Sequence, residues 1–132
     1  MSNRRVPEDA RPVVLVAEGE SALRREIADL LDRNGYAVIE ARSGEEIVHL
    51  ARRERPALIV LDGMLALLDG HAAARVLRRD PGTRHIPFLA FEGPARRRGR
   101  GGRRLRAEDY RRLLRKIHDI LEFNERRHAV RA

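Results

Sequence analysis

The 132-residue chain contains no cysteine. A disulfide framework, a thiol nucleophile and a thiolate metal site are therefore excluded. No apolar run approaches the roughly 18 residues of a membrane-spanning helix, so no membrane partner is expected. The opening stretch, MSNRRVPEDARP, is polar and broken by proline, and carries no apolar core of a secretory signal. Lysine is almost missing: Lys116 is the sole lysine among 28 basic residues. What is present is 42% apolar residues, enough for one compact core. The expectation is a single cytoplasmic domain. The formal charge of +8 would, taken globally, suggest nucleic acid.

The charge is unevenly placed. Residues 94–132 hold 14 basic groups against 5 acids, while residues 1–93 hold 14 against 15. The densest part, residues 94–106 (PARRRGRGGRRLR), has seven arginines, three glycines and no acid. Clustered arginines repel one another and glycine adds backbone entropy, so this piece reads as a loop. The body is nearly neutral.

Two periods alternate along that body. Val13-Val14-Leu15-Val16 is a short β-branched run, a buried strand. Ser21 can cap a helix in which Ala22, Leu23, Ile27, Leu30 and Leu31 recur at helical spacing. Asn34-Gly35 stops it, and Val38 and Ile39 suggest a second strand. Ser43 opens the next helix, with Ile47, Val48, Leu50 and Ala51 facing inward, and Pro56 ends it. Ala57-Leu58-Ile59-Val60-Leu61 is the third strand. After Gly70 comes a helix with Ala73, Val76 and Leu77 as its stripe, then the turn Asp80-Pro81-Gly82. Residues 86–91 form a fourth strand, with Pro87 at its entry. Tyr110, Leu113, Leu114, Ile117, Ile120 and Leu121 mark a final amphipathic helix.

Strands alternating with helices imply parallel pairing and right-handed crossovers in an α/β doubly wound sheet. The organisation read from this is a tail over 1–11, a domain over 12–123 that contains the arginine loop, and a tail over 124–132. A fifth strand would have to come from residues 96–104, which offer nothing apolar to bury. It and the helix before it are expected to be shortened or lost. The sheet face left uncovered would support a homodimer or another partner.

Three strands run into a carboxylate: the first reaches Glu18, the third Asp62 and the fourth Glu92. In open α/β sheets ligands bind beyond the carboxyl ends of the strands. Converging acids there can hold a hard divalent cation. One of them can also attack a phosphoryl group while the metal neutralises charge. The plainer reading is that such acids cap the following helix or sit in water. Other motifs carry less. Gly99, Gly101 and Gly102 follow no strand in a dinucleotide pattern. The five histidines show no metal spacing, and Ser21 and Ser43 read as caps.

At this point a resemblance enters. LVAEGESALRREIADLLDRNGYAVIEARSGEEIVHLARRERPALIVLD is similar to the first half of a receiver domain of two-component response regulators. LDGMLALLDG resembles that family's phosphoacceptor loop, and Ile86-Pro87-Phe88-Leu89-Ala90-Phe91 its fourth strand. Gly35-Tyr36, Gly44-Glu45-Glu46, Arg55-Pro56 and Asp69-Gly70 fall where the family has them.

The resemblance implies a flavodoxin-like sheet of order 2-1-3-4-5. It implies that Asp62 takes a phosphoryl group from a histidine kinase or phosphotransfer protein. It implies Mg²⁺ held by Glu18, Asp62 and the main-chain carbonyl of Met64. The family's second acid after the first strand is Gly19 here, which weakens that site. The hydroxyl residue expected after the fourth strand is Glu92. The family lysine is absent, with Arg103 or Arg104 nearest in alignment, and the loop proline is Ala66.

The expected function is a signalling module rather than an enzyme: a single-domain receiver that docks to a downstream protein, with Asp62 the phosphoacceptor of an altered switch. The alternative is a phosphate-independent receiver whose basic C-terminal segment binds nucleic acid or an acidic partner. A third reading has the arginine loop folding back over Glu18, Asp62 and Glu92 as a fixed counterion.

Overall fold

A computed structural model describes residues 11–62, 71–91 and 105–131. The elements run β1 (Val13–Ala17), α1 (Ser21–Arg33), β2 (Ala37–Ala41), α2 (Gly44–Glu54), β3 (Leu58–Asp62), α3 (His71–Arg79), β4 (Phe88–Phe91) and α4 (Ala107–Arg131). The four strands form one sheet in the order β2-β1-β3-β4, all parallel. This is the flavodoxin-like arrangement over the described strands. The segment expected to supply a fifth strand lies outside the described residues, as does most of the arginine loop.

Strand alternation sorts the core into two halves, because successive side chains point to opposite faces. Val14, Val16, Leu58 and Val60 pack with Leu23, Ile27 and Leu31 of α1 and with Leu113, Ile117 and Leu121 of α4. Leu15, Ala17, Ile59 and Leu61 pack with Ile47 and Ala51 of α2 and with Ala73 and Leu77 of α3. A sheet buried on both faces explains why its strands read as unbroken apolar runs.

The punctuation follows local chemistry. Ser43 Oγ accepts the Glu46 N–H at 3.2 Å and caps α2. Arg55 closes α2 in the left-handed conformation (φ 47°), and Pro56 bars continuation. Gly35 follows α1 at φ +93°, where glycine meets no Cβ penalty. Asp80 turns the chain after α3 by accepting the Gly82 N–H at 2.9 Å.

Three boundaries and the burial of two residues differ from the sequence reading. Glu20, not Ser21, holds the N-cap of α1, because the Glu18 carboxylate takes the Glu20 N–H and turns the chain one residue early. β4 begins at Phe88, since Pro87 has no N–H to give and contributes only its carbonyl, to the Ile59 N–H at 3.0 Å. Ala22 is exposed at the start of α1, one residue before its buried stripe begins at Leu23, and Val76 is 39% exposed on the rim between α2 and α3 rather than in the core. Finally, α4 runs to Arg131, through the stretch read as a tail. No proline or glycine interrupts it, and Arg126 pairs with Glu122 one turn back at 2.9 Å. At 25 residues α4 spans about 37 Å, about twice the length of the strands it packs against.

Candidate functional site

The register places the candidate site at the carboxyl edge of the two central strands. Ala17 pairs with Leu61, so Glu18 and Asp62 stand level as the next residues of adjacent strands. Neighbouring strands lie about 4.8 Å apart. Asp62 in turn pairs with Phe91 of β4. Glu92, Met64, Arg103 and Arg104 lie outside the described residues. The sequence-predicted pair brought together is therefore Glu18 and Asp62.

Glu18 is only 3% exposed. Its N–H donates to the Ala41 carbonyl at 3.1 Å, which carries the β1–β2 pairing one residue past the strand. Its Oε1 accepts the Glu20 N–H at 3.1 Å. Its main-chain carbonyl accepts from Arg24 Nη1 at 2.9 Å. A buried carboxylate needs such partners, because desolvating a charge is expensive.

Sequence reasoning missed Arg24, which is only 9% exposed. Its Nε donates to Glu40 Oε1 at 3.1 Å, and Arg25 approaches the other oxygen of Glu40 at 3.7 Å. Arg24 thus ties the β1–α1 turn to the end of β2, with its charge matched by Glu40. The signal was present: Arg24 sits four residues before Ala28 and seven before Leu31, on the buried stripe of α1.

Gly19 is exposed, and a Cβ built there would meet nothing within 4 Å. Its φ is not positive, so glycine is not demanded by the backbone. The position is open space beside a buried carboxylate. A divalent cation of the hard, oxygen-preferring kind fits this donor chemistry with one fewer protein carboxylate, whose place water can take. Among the described residues no three acids or histidines gather as a metal site.

A parallel sheet covered on both faces, with acids level at the carboxyl ends of its central strands, is the arrangement of a signal receiver. The family model of the response regulator receiver domain matches residues 14–99, and the chain belongs to that family. It is a receiver domain of two-component signalling, a family that binds Mg²⁺ at its active site.

Among curated relatives it is 38% identical over 84 residues to the probable transcriptional regulator ycf27 of Porphyra purpurea, covering 64% of this chain and 35% of that protein. It is 35% identical over 77 residues to the polar-differentiation response regulator DivK of Brucella anthropi, covering 58% and 63%. The chain thus spans about a third of the length of the ycf27 protein. Chemotaxis response regulator CheY4 of Vibrio cholerae shares the fold at a TM-score of 0.64 and 18% identity, covering 81% of this chain and 98% of that one. The receiver domain of the sensor histidine kinase PA1611 from Pseudomonas aeruginosa, which has a magnesium ion in its active-site cleft, aligns at a TM-score of 0.58 and 29% identity, covering 70% and 76%. No helix of the described residues is long and apolar enough to cross a membrane.

Proposed function

We propose that Asp62 is the phosphoacceptor of this receiver, fed by a histidine kinase or phosphotransfer protein and read out by docking to a downstream protein. The observation that carries this reading is the register that sets Asp62 level with the buried Glu18 on adjacent strands. A carboxylate oxygen of Asp62 attacks phosphorus, and the bond to the donor breaks with its electron pair leaving on the donor. Glu18, Asp62 and the main-chain carbonyl of Met64 would hold Mg²⁺, which neutralises charge on the phosphoryl oxygens.

The switch is altered rather than standard. Gly19 removes one carboxylate from the cation site, so Mg²⁺ binds weakly. Glu92 brings a charge where the modified aspartate gains about −1.5 to −2. Arg103 or Arg104 stands in for the family lysine, and arginine grips phosphate as a planar fork rather than a point charge. Arg24 supports a site left open to phosphate, because its charge is matched by Glu40 and it holds the Glu18 main chain.

Acetyl phosphate with Mg²⁺, followed by peptide mapping, tests the assignment. The phosphoryl group is expected on the peptide containing Asp62. Its appearance elsewhere, or nowhere, rejects it.

A further inference from the structure

At the amino edge of the sheet, opposite Glu18 and Asp62, α4 closes over a cavity of about 520 Å³. Its floor follows from the register. Val14 pairs with Leu58, so Pro12 and Pro56, each two residues earlier, stand side by side. Alternate residues point to one face, and this is the face that packs against α4. Leu121 completes the floor from the helix. The stripe that runs Leu113, Ile117, Leu121 then turns polar at Asn124 and Glu125. Beyond the strands the helix therefore brings an amide and a carboxylate to the cavity rather than another apolar side chain.

Two charges of opposite sign line the same cavity, Arg55 from the α2–β3 turn and Glu125 from α4. Neither forms an ion pair among the described residues, whereas Arg52 takes the nearby Asp80 at 3.3 Å and Arg126 takes Glu122 at 2.9 Å. Other exposed charges on the molecule are also unpaired; what sets these two apart is a shared concavity with an apolar floor. Arg55 moreover sits at φ 47°, a conformation that favours glycine. Apolar walls with a few placed polar groups, at this volume, are the usual make-up of a small-molecule site. Each group has a natural complement. A guanidinium takes a carboxylate bidentately, a carboxylate takes an ammonium, and proline rings pair with aromatic faces. A free aromatic amino acid presents all three.

We propose that the amino-edge cavity binds a free aromatic amino acid, its carboxylate on Arg55, its ammonium on Glu125 and its ring against Pro12 and Pro56. The five-residue strands put about 17 Å between this cavity and the acid site. Ligand and phosphoryl group therefore share no residue. The cavity gives the receiver a small-molecule input of its own, and the inference stands whether or not Asp62 is phosphorylated.

The test is isothermal titration of the full chain with L-phenylalanine, with hydrocinnamate, which lacks the ammonium, and with phenylalaninamide, which lacks the carboxylate. Saturable one-to-one binding of L-phenylalanine is expected. Each analogue should bind about tenfold more weakly or worse, since each loses a charge-assisted hydrogen-bonding group. Arg55→Gly suits the left-handed turn and is expected to fold. It should weaken L-phenylalanine about tenfold and erase its advantage over phenylalaninamide. Glu125→Gln, at an exposed position without an ion pair, should likewise erase the advantage over hydrocinnamate. Circular dichroism checks that both variants are folded, and either one alone decides its half of the site. Absence of saturable L-phenylalanine binding up to about 10 mM overturns the proposal. So does a folded variant that keeps the wild-type preferences. Equal affinity for all three compounds would mean that only the apolar floor is read, and overturns it as well.

Discussion

Arg24 Nη1 donates to the main-chain carbonyl of Glu18 at 2.9 Å, from a side chain almost wholly inside the protein. The same guanidinium holds Glu40 at 3.1 Å, so one residue on α1 fixes the turn that presents Glu18. Removing one member of a buried hydrogen-bonded set leaves the others desolvated and unmatched.

Arg24→Met is therefore expected to destabilise the fold by about 1–3 kcal/mol. Arg25→Met is expected to change it by less than about 1 kcal/mol, because Arg25 is exposed and reaches Glu40 only at 3.7 Å. Urea unfolding midpoints of the two variants measure the difference. Equal effects would mean that Arg24 contributes no more than a surface ion pair.

Gly19→Asp supplies the carboxylate that the site lacks, into space where a Cβ meets nothing. Mg²⁺ affinity is expected to rise about tenfold or more, since cation affinity follows the charge and number of oxygen ligands. Stability in the absence of Mg²⁺ should stay within about 0.5 kcal/mol. Isothermal titration with MgCl₂ reads the affinity, and an unchanged value would contradict the proposed weakening of the cation site by Gly19.

Ser43→Ala removes the acceptor for the Glu46 N–H at the start of α2. The expected loss is about 1 kcal/mol. Ser21→Ala should cost much less, because Glu20 holds that N-cap. Thermal melts of the two variants compare them directly.

Burial raises the Tyr36 phenol above its ordinary value of 10.0. The folded state therefore holds that proton more tightly than the unfolded chain does. Its contribution is present in full below pH 10 and falls away as pH rises from there through the folded value. Tyr36→Phe is expected to flatten the decline of stability above pH 10, as followed by denaturant titration at stepped pH.

Much of this architecture was legible along the chain. Short β-branched runs and 3.6-residue spacing located every described element, and Ser43 and Gly35 acted where their chemistry predicts. Strand ends revealed Glu18 and Asp62, because an apolar run that stops at an acid is visible locally. Val76 misled, since an apolar residue on the stripe's edge looks the same in sequence whether α2 covers it or not. The length of α4 was hidden because residues 122–131 (EFNERRHAVR) break the regular apolar spacing that marks the earlier turns of the helix. Arg24 could be placed on the buried stripe of α1 from its spacing, but its partners, Glu40 and the Glu18 carbonyl, are brought together only by the β1–β2 pairing. Charge on a helix stripe usually signals an exposed face, and here it marks an internal tie.

The central claim is that Asp62 still receives a phosphoryl group despite Gly19 and Glu92. Intact mass after incubation with acetyl phosphate and Mg²⁺ tests it most directly, with wild type, Asp62→Asn and an EDTA control run together. The account predicts a gain of one phosphoryl group on wild type, slower than in Gly19→Asp, and none on Asp62→Asn or with EDTA. No gain on wild type at any Mg²⁺ concentration, or an equal gain on Asp62→Asn, would contradict it.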